Sequence, residues 1–190
     1  LSIYEAPFIP MSWVEGKVLN NWESKTIQGS SSEHDILIGK SGKQTLIGLA
    51  GNDFLDGRKG YDHLFGGKGA DTFYFKPSRE KNNANMKHDL ISDFNHSEKD
   101  MIGIDHKSSS NSQKDINLLK TKSTNISKLS TNIADVIYNK NTGEMHFNAN
   151  GAKPGLGRQG GLLAILEGAP NLKPSSINFY EPGGTDNPML

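Results

Sequence analysis

The sequence predicts an all-β chain built around a short coiled array of parallel strands. Residues 30–74 repeat with a period of nine, an acidic column runs through the repeat, and an apolar column follows it two residues later. The units are 30–38 (degenerate), 39–47, 48–56, 57–65 and 66–74, the last reading Gly-Gly-Lys-Gly-Ala-Asp-Thr-Phe-Tyr. The acidic column is Asp35, Gln44, Asp53, Asp62 and Asp71; the apolar column is Leu37, Leu46, Leu55, Leu64 and Phe73. A fixed short period marks stacked units rather than an ordinary globule.

Each unit joins a glycine-rich turn to a three-residue strand. Gly48 and Gly51, Gly57 and Gly60, and Gly66, Gly67 and Gly69 permit the positive φ that a tight bend needs. The strand then points its central side chain, Leu55 or Leu64 for example, to one face. Two units make one full coil, so consecutive turns lie on opposite edges. Turns eighteen residues apart stack on the same edge, about one strand spacing (~4.8 Å) apart.

This parity puts Asp35, Asp53 and Asp71 on one edge and Gln44 and Asp62 on the other. A hard cation between stacked turns would take carboxylate oxygens from two aspartates and carbonyl oxygens from the turns. An all-oxygen shell of about six ligands is what Ca²⁺ prefers. Asp53 with Asp71 is the best pair. Asp35 with Asp53 is next, weakened because Glu33 replaces a turn glycine. Gln44 offers Asp62 only a neutral amide oxygen, so that site is expected weak or empty.

With these residues the array resembles the RTX (repeats-in-toxin) proteins with hemolysin-type calcium-binding repeats. The resemblance implies a parallel β-roll holding Ca²⁺ in its turns, and export by a type I secretion apparatus that reads an uncleaved C-terminal signal. It also implies ligation by the aspartate and by the carbonyls of the second and fourth turn positions. Carried over, that marks Gly67, Gly69 and Asp71, then Gly60 and Asp62, then Gly51 and Asp53. Leu49 and Arg58 stand at the second position, where only their backbone oxygen serves. Lys40, Lys43, Arg58, Lys59 and Lys68 sit in or beside the turns, so the expected load is one to three ions.

Lys+Arg and Asp+Glu both number 21 among 190 residues, so net charge points neither to nucleic acid nor to a membrane surface. There is no cysteine, which removes disulfide and thiol chemistry. No apolar run reaches a transmembrane length. The chain starts at Leu1 without a basic or apolar leader and is expected to be a piece of a longer, secreted protein.

Four regions are expected: leader strands over 1–28 capping the roll, the roll over 29–80, a C-terminal antiparallel β region over 81–180, and a disordered tail over 181–190. The run Asp89-Leu90-Ile91-Ser92-Asp93-Phe94, followed by Asp100-Met101-Ile102-Gly103-Ile104-Asp105, is similar to the segment after the roll in serralysin-type proteins. Asp89 is a strand-start residue that can also complete a terminal calcium site. Val136-Ile137-Tyr138 and 144–148 around Asn141-Thr142-Gly143 read as a hairpin, with a further strand at 162–166. The region 117–132 carries no clear period. Residues 135–180 resemble the C-terminal region of type I secreted RTX proteins.

The six histidines form no H-E-x-x-H and no other zinc spacing, and neither a G-x-S-x-G nor a phosphate loop occurs. No catalytic constellation can be named. The leading expectation is a non-catalytic calcium-binding module that folds outside the cell. The alternatives are the C-terminal part of a serralysin-type zinc protease, with its catalytic domain upstream, or an adhesin or carbohydrate-binding module. A basic, aromatic-lined groove would mark the last.

Overall fold

A computed structural model describes residues 17–19, 25–77, 88–105, 116–129, 134–150, 153, 155–157 and 160–180. The first sixteen residues of the leader and the tail 181–190 lie outside the described residues, as does the Ser/Asn/Lys-rich stretch 107–114.

Among the described residues fourteen strands form two sheets. In chain order they are β1 (Lys17–Leu19), β2 (Thr26–Gln28), β3 (Asp35–Ile38), β4 (Thr45–Ala50), β5 (Phe54–Asp56), β6 (His63–Lys68) and β7 (Thr72–Phe75). There follow β8 (Asp89–Ile91), β9 (Met101–Asp105), β10 (Leu118–Thr121), β11 (Val136–Asn139), β12 (Glu144–Phe147), β13 (Gly161–Leu166) and β14 (Ile177–Tyr180). One sheet runs β1-β3-β5-β7-β9-β14; the other runs β10-β11-β12-β13-β8-β6-β4-β2. Successive strands of the array therefore alternate between sheets, as a coil of two nine-residue units requires.

The apolar column sets the register. Leu37 pairs with Leu55, Leu55 with Phe73 and Phe73 with Ile102 in one sheet, all parallel. Ile27 pairs with Leu46, Leu46 with Leu64 and Leu64 with Ile91 in the other. Leu37, Leu46, Leu55, Leu64, Phe73, Ile91 and Ile102 are all fully buried between the sheets. Each such side chain contributes roughly 1.5–3 kcal/mol. A second, smaller cluster of Ile36, Phe54 and Tyr74 lies outside this core, with Phe54 and Tyr74 rings 5.3 Å apart.

The antiparallel expectation for the C-terminal region holds for β11–β12–β13, including the expected hairpin, and not for β8, β9 and β14. The roll continues past the repeats, because β8, β9 and β14 all pair parallel with their neighbours. Among the described residues the antiparallel pairs are β11–β12 and β12–β13. The reason is the sequence after the repeats: Asp89-Leu90-Ile91 and Asp100-Met101-Ile102 restate the aspartate–x–apolar pattern without the glycines, and so supply another coil. β13 and β14 supply the next. The hairpin β11–β12 turns at residues 140–143 and adds Val136, Tyr138, Met145 and Phe147 to the roll's core. The ambiguous stretch 117–132 yields β10 and a one-turn helix, α1 (Ile126–Leu129).

Candidate metal centre

The turns stack so closely that glycine is a steric requirement at several positions. A Cβ on Gly69 would lie 1.8 Å from the Gly51 carbonyl oxygen, and one on Gly67 would lie 2.1 Å from that of Leu49. A Cβ on Gly51 would meet the Glu33 carbonyl oxygen at 2.0 Å. Carbonyls also approach from the following turn: a Cβ on Gly48 would lie 2.4 Å from the Gly66 oxygen. The second edge repeats this, with the Gly42 oxygen 2.3 Å from a Cβ on Gly60. The gaps between turns are thus lined with carbonyl oxygens. Leu49 (φ 81°) and Arg58 (φ 65°) adopt the left-handed conformation otherwise taken by glycines such as Gly67 (φ 95°). The turn geometry overrides their side-chain preference there.

The aspartates form two ladders at the edges. On the first edge the Asp35 amide donates to Asp53 Oδ1 at 2.8 Å and the Asp53 amide to Asp71 Oδ1 at 2.8 Å. The Asp71 amide donates to Asp100 Oδ1 at 3.0 Å. On the second edge the Gln44 amide donates to Asp62 Oδ1 at 2.7 Å and the Asp62 amide to Asp89 Oδ1 at 3.0 Å. Asp35, Asp53, Asp62 and Asp71 are fully buried, and Asp89 and Asp100 nearly so.

Oδ1 of Asp53, Asp62, Asp71, Asp89 and Asp100 thus holds an amide of the preceding coil. Asp35 instead takes the Ser30 amide of its own turn, and the second Asp100 oxygen takes the Asn95 amide at 2.7 Å. Asp53 Oδ2 and Asp71 Oδ2 are buried without a hydrogen-bond partner, as is Asp35 Oδ1. Asp53 Oδ2 and the Gly66 oxygen both crowd Gly48, and Asp71 Oδ2 crowds Gly66. Carboxylate and carbonyl oxygens face each other with no donor between them, an arrangement that repels unless a cation fills it. Burial accordingly pushes the Asp53 and Asp100 carboxyls up to about 6 and that of Asp71 up to about 7, with neighbouring carboxylates adding to the rise. The donor set is entirely oxygen and suits a hard divalent cation. Among the described residues no three His, Cys, Asp or Glu side chains converge on one point. A site here therefore draws on a carboxylate pair plus main-chain oxygens.

The structure brings together Asp53 with Asp71, Asp35 with Asp53, and Asp62 with Asp89, and it places Gly51, Gly60, Gly67 and Gly69 in the stacked turns between them. Sequence reasoning missed two residues. Asp100 extends the first ladder by one coil; it follows Asp71 by twenty-nine residues rather than eighteen, so the repeat phase hides it. The signal was present in Asp100-Met101-Ile102, which copies Asp71-Thr72-Phe73. Asp93 takes the Gly66 and Gly67 amides at 3.0 and 2.9 Å and so closes the last turn of the array.

Residues 38–73 match the family described as the RTX calcium-binding nonapeptide repeat, in four copies. The array is an RTX calcium-binding repeat. No curated protein matches the chain. Among solved structures the chain is similar to the solution structure of the AlgE6R3 subunit from the Azotobacter vinelandii mannuronan C5-epimerase. That similarity has 23% identity and a TM-score of 0.51, and covers 90% of this chain and 84% of that one. At this identity the likeness concerns the fold, which is all-β with the parallel sheets of an RTX roll. Among the described residues no helix is long and apolar enough to cross a membrane.

Proposed function

We propose that this chain is a calcium-gated folding module of a protein exported by a type I secretion system, ordered only after it reaches the calcium outside the cell. The observation that carries the reading is the pair of buried, donorless oxygens, Asp53 Oδ2 and Asp71 Oδ2, facing carbonyl-lined gaps. Asp53 and Asp71 with the main-chain oxygens of Leu49, Gly51 and Gly66 would hold one ion. Asp71 and Asp100 with those of Gly67 and Gly69 would hold a second. Asp62 and Asp89, with the Gly60 turn, form the counterpart on the second edge. Asp35 and Asp53 form a weaker site because Glu33 stands where the turn glycine should be.

Calcium, when bound, supplies the positive charge that lets the stacked carboxylates ionise together. This chain's residues do the rest: the aspartates fasten successive coils through their amides, and the glycines let the carbonyls approach. A ligand that binds only the folded form stabilises it by RT ln(1 + [L]/Kd), about 2.7 kcal/mol at a hundredfold excess. Extracellular modules have Kd of roughly 10⁻⁴–10⁻³ M. At cytosolic calcium the array would stay open enough for a secretion channel, with the export signal in residues 135–180.

Hydrogen exchange at sub-micromolar and millimolar free calcium tests this. Amides of β4–β7 should exchange freely in the first condition and be protected in the second, and Asp53→Ala/Asp71→Ala should abolish the difference. Equal protection in both conditions would refute calcium gating. Co-expression with a type I exporter tests the rest: the chain should reach the medium, and a form lacking residues 135–180 should stay inside.

A further inference from the structure

The second edge of the roll changes chemical sign along its length. The residues immediately before β2, β4, β6 and β8 are Lys25, Gln44, Asp62 and Asp89. Their equivalence is structural. The amides of Thr45, His63 and Leu90 donate to the carbonyls of Lys25, Gln44 and Asp62, each at 2.8 Å. One column thus holds two carboxylates at the C-terminal end, then a carboxamide, then an ammonium.

At the ammonium end lies a cleft of about 380 Å³ lined by Lys25, Thr26, Lys43, Gln44 and Thr45. Its lining offers two ammonium groups, two hydroxyls and a carboxamide, and no acidic side chain. The Gln44 Oε1 acceptor is turned toward its own turn, where it takes the Lys40 amide at 2.6 Å. Lys25, Thr26 and Lys43 are exposed. The Lys43 ammonium rests over the Tyr61 ring, 5.2 Å from its centroid. Tyr61 meets His88 edge-on at 5.7 Å, and His63 packs on Phe65 at 4.4 Å. These half-buried rings continue from the cleft in the stacking direction.

We propose that this cleft binds a carboxylate of an acidic polysaccharide, with the polymer running across the strands from Lys25 toward His88. Lys25 and Lys43 take the carboxylate, Thr26 and Thr45 donate to it, and His63 presents ring surface to the next sugar. Charge-assisted donors select an oxyanion, and flat, half-buried rings suit the C–H face of a pyranose. A linear glycan also advances by a length comparable to one strand spacing per sugar, which keeps successive sugars over successive coils. Nucleic acid is the competing polyanion for the same two ammonium groups, and the DNA duplex below separates the two. The site is independent of the calcium reading: it lies where the column has lost its carboxylates.

The test is isothermal titration of the full chain, at saturating calcium, with polygalacturonate as probe. Dextran, polyglutamate and a DNA duplex serve as comparison polymers. Polygalacturonate should bind, more weakly as sodium chloride is raised. Lys25→Glu and Lys43→Glu should each weaken it about tenfold or more. Lys122→Glu, the same charge change at an exposed site on another part of the surface, should leave it unchanged. No binding of polygalacturonate would overturn the proposal. So would equal losses in all three variants, which would mean diffuse charge attraction. Polyglutamate or DNA binding as tightly would also overturn it, because the site would then not be a glycan site.

Discussion

Replacing Asp71 by asparagine should change stability in opposite directions with and without calcium. Asparagine keeps an oxygen for the Asp53 amide, which the wild-type carboxylate accepts at 2.8 Å. It removes the charge that faces Gly66 and the neighbouring turns. Without metal, the wild-type carboxyl is pushed from 3.8 to about 7, first by burial and then by the nearby carboxylates Asp100, Asp53 and Asp93. At pH 7.5 the folded chain must ionise that group against its surroundings. Each tenfold change in proton affinity corresponds to about 1.4 kcal/mol. Allowing roughly half for reorientation of the surrounding turns and amides around the charge, ionisation costs about 2 kcal/mol. In chelator, Asp71→Asn should therefore be about 2 kcal/mol more stable than wild type. In calcium the variant loses a ligand shared by two gaps, and at a hundredfold excess each lost site removes about 2.7 kcal/mol. Urea unfolding at pH 7.5, in chelator and in calcium, measures both. A variant destabilised equally in both conditions would refute the reasoning, because Asp71 would then act only as a hydrogen-bond acceptor.

Metal-free stability should fall as pH rises. Asp53, Asp71 and Asp100 have folded values of about 6 to 7 against 3.8 unfolded, so between those limits the folded chain binds more protons. In chelator, Tm should be higher at pH 5 than at 7.5, and calcium should reverse the order; thermal scans at the two pH values check it. Gly69→Ala should cost about 3 kcal/mol or more at any calcium level, since its Cβ would lie 1.8 Å from the Gly51 oxygen at φ 126°. Gly42→Ala, with φ 105° but nothing within 4 Å, should cost only about 1–2 kcal/mol in the same melts. Gln44→Asp should give the second edge a carboxylate opposite Asp62 and add one calcium ion by titration calorimetry.

The parts of the fold that repeat were legible because each repeated residue has one physical job. Leu46, Leu55 and Leu64 fill the space between sheets, and the nine-residue period assigns them to alternating faces. Asp53 and Asp71 were legible as neighbours because eighteen residues is one coil. Asp100 was not, because the connection before β8 and the loop 92–100 change the spacing while the ladder continues. The burial of Phe54 and Tyr74 at outward positions also escapes periodicity, since alternation reports a side chain's face and not what covers it. The parallel course of β8, β9 and β14 was hidden for a related reason. Without turn glycines, short alternating strands read the same in either direction. The cationic cleft depends on aligning Lys25 with Gln44 across nineteen residues, a register set by pairing rather than by the repeat.

The most direct test of calcium held between stacked turns is anomalous diffraction from crystals grown in calcium. Peaks should lie between the Asp53 and Asp71 turns, between Asp71 and Asp100, and between Asp62 and Asp89, with none in the Lys25–Gln44 cleft. An empty Asp53–Asp71 gap, with ions only on exposed carboxylates such as Glu33, would contradict the account.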